Sequence, residues 1–142
     1  MAVRPLTSND MYGAQNSPPD IDKLLARTAP QPVLMTVTID SSAVDSGATV
    51  TNQLRRGLLL GKITASGKYA QFDDEASDGT EVSADAVVLA ESVVLTDPED
   101  SESTVDVIAV VVYAGCLHSD AILGDFAGLT QEDCQRLLFL AR

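Results

Sequence analysis

Two valine-rich runs, residues 86–95 and 105–113, set the strongest limit on what this chain can become. β-Branched side chains lose χ1 freedom in a helix and pack well on a pleated surface, so both runs read as central strands. An earlier segment points to the same class by its period: Val33, Met35, Val37 and Ile39 alternate with Leu34, Thr36, Thr38 and Asp40, as in a half-buried strand. Beyond a turn near Asp45-Ser-Gly47, residues 48–52 are β-rich, and the apolar run Leu58, Leu59 and Leu60 follows, with Ile63 after it. Ser66-Gly67 separates this run from residues 68–72 at a spacing that fits a hairpin. The acidic segments 73–81, which contain Asp78-Gly79, and 96–104 are expected as loops.

Near the carboxyl end the period changes. Cys134, Leu137, Leu138 and Ala141 stand at i, i+3, i+4 and i+7; Thr130 is placed to cap, Asp133 completes a Thr-x-x-Asp box, and Leu129 can staple against Cys134. This pattern predicts one short closing helix. The expected fold class is mainly β with minor α (α+β).

The first 32 residues obey different rules. Five of the six prolines (Pro5, Pro18, Pro19, Pro30 and Pro32) lie there, with apolar side chains scattered at Val3, Leu6, Met11, Tyr12, Ile21, Leu24 and Leu25. Proline removes amide donors and fixes φ, so a central strand or long helix is excluded, and the sparse apolar surface cannot repay its own ordering. Residues 1–32 therefore read as an arm and residues 33–142 as the core. Residues 20–27 have the spacing for one or two helical turns, short for an isolated helix.

Charge narrows the function. The 142 residues carry a formal charge of -12, a poor match for nucleic-acid phosphates, whose sequence-independent affinity comes from Lys and Arg. Residues 1–68 hold seven basic and five acidic groups, whereas residues 69–142 hold two and sixteen. That split suggests surfaces with different neighbours, or a solvated acidic face. The longest uncharged apolar stretch, 107–117, falls short of the ~18 residues a membrane helix needs, and the amino terminus shows no signal-peptide apolar region. Membrane partners are not expected, and synthesis in a cytoplasm is. Cys116 and Cys134 form no CxxC pair, which suits a reducing compartment.

Three constellations carry possible chemistry. Residues 61–68 end in Gly67-Lys68, but Lys62 and Tyr69 stand where a phosphate-binding loop needs glycine and Ser or Thr, so a hairpin turn accounts for them. Asp73, Asp74, Glu75, Asp78 and Glu81 offer oxygens to calcium; counted back from Gly79, however, Ala76 takes the middle ligand position of an EF-hand loop. Cys116 and His118 have the spacing of a thiolate pair, with Cys134 elsewhere, although a small buried hydrophobe is the ordinary role of cysteine. No nucleophile elbow, HExxH motif or dinucleotide glycine signature occurs, so neither catalysis nor a cofactor or metal is expected. The alternatives kept open are a small acidic hydrolase or metal-binding enzyme using Cys116 and His118 or the 73–81 loop, and an acidic mimic of DNA.

The run GLLLGKITASGKY (57–69), followed by FDDEASDG (72–79) and AVVLAESV (86–93), with VVVYAGCL (110–117) beyond, resembles the lambda-type bacteriophage head decoration proteins. The resemblance implies a small β-barrel or β-tulip-like core with an extended N-terminal arm, and a virion structural protein without catalytic residues or cofactor. It further implies homotrimers on the outside of the expanded capsid at three-fold and quasi-three-fold positions, stabilising the head against genome pressure by gripping the major capsid protein. The lambda-type protein finishes in an extended segment, whereas a helix is expected here. In this reading the arm anchors Val3, Leu6, Met11, Tyr12, Ile21, Leu24 and Leu25 meet the capsid, an extended peptide being able to add a strand to a sheet edge. Arg55, Arg56, Lys62 and Lys68 are assigned to capsid or subunit contacts, and the acidic segments 73–85 and 96–106 to solvent.

Overall fold

The computed structural model describes residues 24–26, 31–124 and 126–141. Among the described residues, ten strands carry the fold: β1 (Val33–Ile39), β2 (Gln53–Leu54), β3 (Leu59–Lys62), β4 (Tyr69–Gln71), β5 (Val87–Leu89), β6 (Val93–Val94), β7 (Thr96–Asp97), β8 (Asp100–Thr104), β9 (Val107–His118) and β10 (Leu137–Leu140). The protein is mainly β, with 42% strand and, among the described residues, no helix of seven residues or more.

The main sheet runs β1-β4-β3-β5-β9-β10, and β1 also pairs with β9, so β1, β4, β3, β5 and β9 close into a ring. β9 is its organising strand; its twelve residues cover the longest uncharged run of the chain. The antiparallel β1–β9 register places Val37 opposite Ala109 and Ile39 opposite Val107. β3 and β4 form the expected hairpin, Lys62 facing Tyr69.

Side-chain alternation divides the interior into two cores. One draws on every strand of the ring: Val37 and Ile39, Leu60, Tyr69, Val87 and Leu89, and Ala109 and Val111. The other collects the opposite parity, Leu59, Val88 and Val112, beneath Leu24, Leu117, Ile122, Cys134 and Leu137. Strands β3 and β5 are thus buried on both faces. This is why residues 58–60 and 86–90 read as continuous apolar runs: period-two alternation survives only where one face meets water. A fully buried leucine contributes roughly 1.5–3 kcal/mol, so these short strands are held by their side chains more than by ladder length.

The carboxyl-terminal helix is the main correction. Residues 131–133 form a single 3-10 turn with no side-chain cap from Thr130, and β10 then runs parallel to β9, Leu137 beside Gly115 and Leu140 beside His118. Cys134 and Leu137 are buried as a helix would have buried them, but Leu138 is exposed. An isolated helix of this length is marginal in water, whereas a strand here completes the ladder of β9.

Three smaller expectations also change. Residues 48–52 form turns, with Val50 exposed and Asn52 at φ 63. The run 86–95 is not one strand: β5 stops at Leu89, and β6 joins β2 in a separate two-stranded sheet. The 96–104 loop is a hairpin of β7 and β8.

Candidate functional site

The first described residue, Leu24, is 1% exposed within the core that also holds Leu117 and Leu137. Leu25 forms an antiparallel bridge with Leu117, and the Ala26 N–H donates to the Cys116 carbonyl at 2.8 Å. Leu24, assigned to capsid contact from the sequence, is thus buried in the chain's own fold, and Leu25 lies partly buried beside it. Burying one leucine and making one ladder bond offsets part of the ordering cost that the sequence taken alone could not repay. Val3, Leu6, Met11, Tyr12 and Ile21 lie outside the described residues.

The four basic residues do not share one surface role. Arg55 forks onto Asp45, Nε to Oδ2 at 2.7 Å and Nη2 to Oδ1 at 2.9 Å, while the backbone N–H groups of Arg55 and Gly47 donate to the same carboxylate at 3.1 Å. Burial pushes the Asp45 carboxyl up; the hydrogen bonds and charge of Arg55, with the Gly47 amide, outweigh it and hold the group below its ordinary 3.8. This pair ties the 43–52 loops to the end of β2. The Arg56 backbone N–H donates to Ser92 Oγ at 3.0 Å. Lys62 is exposed at the end of β3. Lys68 Nζ meets Asp106 Oδ2 at 2.7 Å, and Asp106 Oδ1 accepts the Ser41 N–H. Asp106 stands just before β9 and Cys116 near its far end. Ten extended residues cover roughly 33 Å, so Lys68 and the arm root belong to opposite ends of one strand.

The acidic segments cap their own turns. Asp73 accepts the Glu75 N–H, Asp78 accepts both the N–H and the hydroxyl of Thr80, and Glu81 accepts the Gly79 N–H. In the β7–β8 hairpin, Asp97 accepts from Glu99, and Asp100 from Glu102 and Ser103. The Thr80 hydroxyl and amide lower the Asp78 pKa, and Ser103 and Glu102 do the same for Asp100. An open cleft of about 640 Å³ lies between residues 42–46 and 70–80. Among the described residues, no three His, Cys, Asp or Glu side chains converge as metal ligands. Within 73–85, Gly79, Thr80 and Ser83 are buried, so only part of that segment faces solvent.

The Gly67-Lys68 stretch is a turn whose amides are occupied: Ile63 donates to the Lys68 carbonyl at 2.7 Å, and Gly67 to the Ile63 carbonyl at 2.8 Å. Cys116 and Cys134 are buried free thiols, and burial pushes the Cys134 thiol up. His118 Nδ1 is buried without a hydrogen-bond partner among the described residues. The raised pKa of Cys134 disfavours its thiolate.

Arg136 is the residue the sequence reading missed. Its guanidinium donates to the carbonyls of Tyr113, Ala84 and Ala86 at 2.6–2.7 Å and lies 4.3 Å over the Tyr113 ring. It clamps the entrance of β10 onto β9 and β5. One signal was available: Arg136 is the sole Lys or Arg in residues 69–141.

Two of the four runs that carry the resemblance, 57–69 and 72–79, interlock. A Cβ on Gly61 would strike the Thr80 backbone, and one on Gly79 (φ +110) would strike Thr64 and the Lys62 carbonyl. The Thr64 N–H donates to the Asp78 carbonyl at 2.9 Å. Strand β3 and the 78–80 loop are therefore one unit, closed at backbone contact, where only glycine fits. No protein-family model and no curated protein matches the chain.

Proposed function

We propose that this protein is a bacteriophage head decoration protein, binding as homotrimers to the outside of an expanded capsid and gripping the major capsid protein. Its ring of strands then serves as the β-tulip-like core, and the segment before Leu24 as the gripping arm. The observation that carries this reading is the interlock of Gly61 with Thr80 and of Gly79 with Lys62 and Thr64, which gives a physical reason for the runs 57–69 and 72–79 to occur together. The extended finish in β10 agrees with the resemblance better than a closing helix does.

Energetics favour several arms acting at once. Ordering an arm costs about 1–2 kcal/mol per residue fixed, so a single arm binds weakly, while three on one trimer gain ~100- to 10,000-fold in avidity. The root at Leu24–Ala26 lowers this cost at its inner end, because those residues are already ordered.

The direct test mixes purified protein with expanded and with unexpanded empty heads and measures co-sedimentation. Binding to expanded heads alone supports the assignment. Equal binding to both, or to neither, contradicts it. The hydrolase alternative has no comparable support, since Cys116 is buried and Asp73, Asp78 and Glu81 are engaged by their own turns.

A further inference from the structure

Asp78-Gly79 is the dipeptide most prone to aspartate isomerisation in a flexible chain, because glycine leaves its amide nitrogen open to attack on the neighbouring carboxyl. In that reaction the Gly79 nitrogen bonds to Asp78 Cγ and a carboxyl oxygen leaves as water, giving a cyclic imide. Water then reopens the ring. Cleavage of the Cγ–N bond restores aspartate, and cleavage on the main-chain side leaves isoaspartate.

The fold engages every group the closure needs. The nucleophile, Gly79 N–H, donates to Glu81 Oε2 at 2.8 Å. The electrophile is held by Thr80, whose N–H and hydroxyl donate to Asp78 Oδ1 at 3.0 and 2.6 Å. The flanking carbonyls are tied as well, Asp78 O to the Thr64 N–H at 2.9 Å and Gly79 O to the Val82 N–H at 3.1 Å. Gly79 is buried against Lys62 and Thr64, so the main chain cannot swing into the ring-closing geometry without breaking the lock on β3.

We propose that Asp78-Gly79 is a guarded isomerisation site: Glu81 and Thr80 suppress ring closure while the 78–82 loop is shut, and local opening exposes it. Isoaspartate adds a methylene to the main chain, which displaces Gly79 from its slot, so one event removes the contact between this loop and β3 permanently. The inference stands apart from the proposed function.

The test ages the full chain, the Glu81→Ala variant and a free peptide of residues 74–83 at neutral pH. Isoaspartate at position 78 is followed by enzymatic isoaspartyl methylation and peptide mapping. The full chain should age at least about tenfold more slowly than the peptide, since closure waits on local opening. Glu81→Ala should restore about tenfold of the rate by removing a charge-assisted bond, with its initial near-ultraviolet dichroism unchanged. Ageing of the full chain at the peptide's rate, or of Glu81→Ala at the wild-type rate, overturns the proposal. Should Glu81→Ala fail to fold, Asp78→Asn serves: its ammonia loss by the same closure, read as a gain of negative charge, should be slow in buffer and rise with urea as the chain unfolds. An equal rate in buffer and urea overturns the proposal.

Discussion

The two ends of β9 are built on different principles. At the far end, Gly115 to His118 lie between β10 and the Leu25 bridge, with Leu24 and Leu137 buried beside them and Arg136 holding three carbonyls. At the near end, Asp106 meets Lys68 in the open and the acidic β7–β8 hairpin stands next to it. One end is secured by buried surface and by bonds to neutral carbonyls; the other is a solvated charge pair whose attraction water and salt screen. Residues 24–26 join the secured end, so in the proposed role a pull on the chain before them would be borne by core packing instead of by surface charge.

This contrast can be tested in order of effect. Leu24→Ala should be the most damaging change, costing about 2–4 kcal/mol by chemical denaturation, because it opens a cavity at a site 1% exposed. Arg136→Met should follow at about 2–3 kcal/mol, leaving the three carbonyls without their donor and freeing β10 to exchange its amides early in hydrogen-exchange experiments. At the near end, replacing the exposed Glu99, Asp100 and Glu102 by their amides should move Tm by less than about 2 °C, as expected for exposed substitutions. A larger fall would show that the hairpin is structural.

Lys68→Met should have the smallest effect, and its size depends on pH. The Lys68 hydrogen bond, followed by the Ser41 amide, holds Asp106 below its ordinary 3.8. Its contribution is therefore complete above the carboxylate range and is lost as pH falls through the folded value. The hydrogen bond to Asp106, then its charge, raises Lys68 above 10.5, so that contribution is lost as pH rises through the folded value. Wild type and variant should differ only between these limits and at low salt. Melting curves that still differ in strong acid would contradict a charge-pair role.

Much of the ring was legible because its strands have one wet face or one charged boundary. β1 could be placed from Val37 and Ile39, and the β3–β4 hairpin from Ser66-Gly67. The break in 86–95 was not legible, since it depends on Leu95 donating to Asn52 and Arg56 donating to Ser92, contacts between distant residues. The closing helix was misread because the spacing of Cys134 and Leu137 suits either period, and a parallel partner 22 residues earlier decided it. Site residues fared worse. Arg55 reads as a surface cation until Asp45 is seen beneath it, and Leu24 as a lone anchor until β9 is seen beside it.

The most direct test removes residues 1–23 from one variant and 1–26 from another, then measures both melting and attachment to expanded empty heads. Loss of attachment in both variants is expected, with the wild-type melting temperature kept by the shorter deletion and lowered by the longer. Full-strength attachment of the shorter deletion would contradict the account.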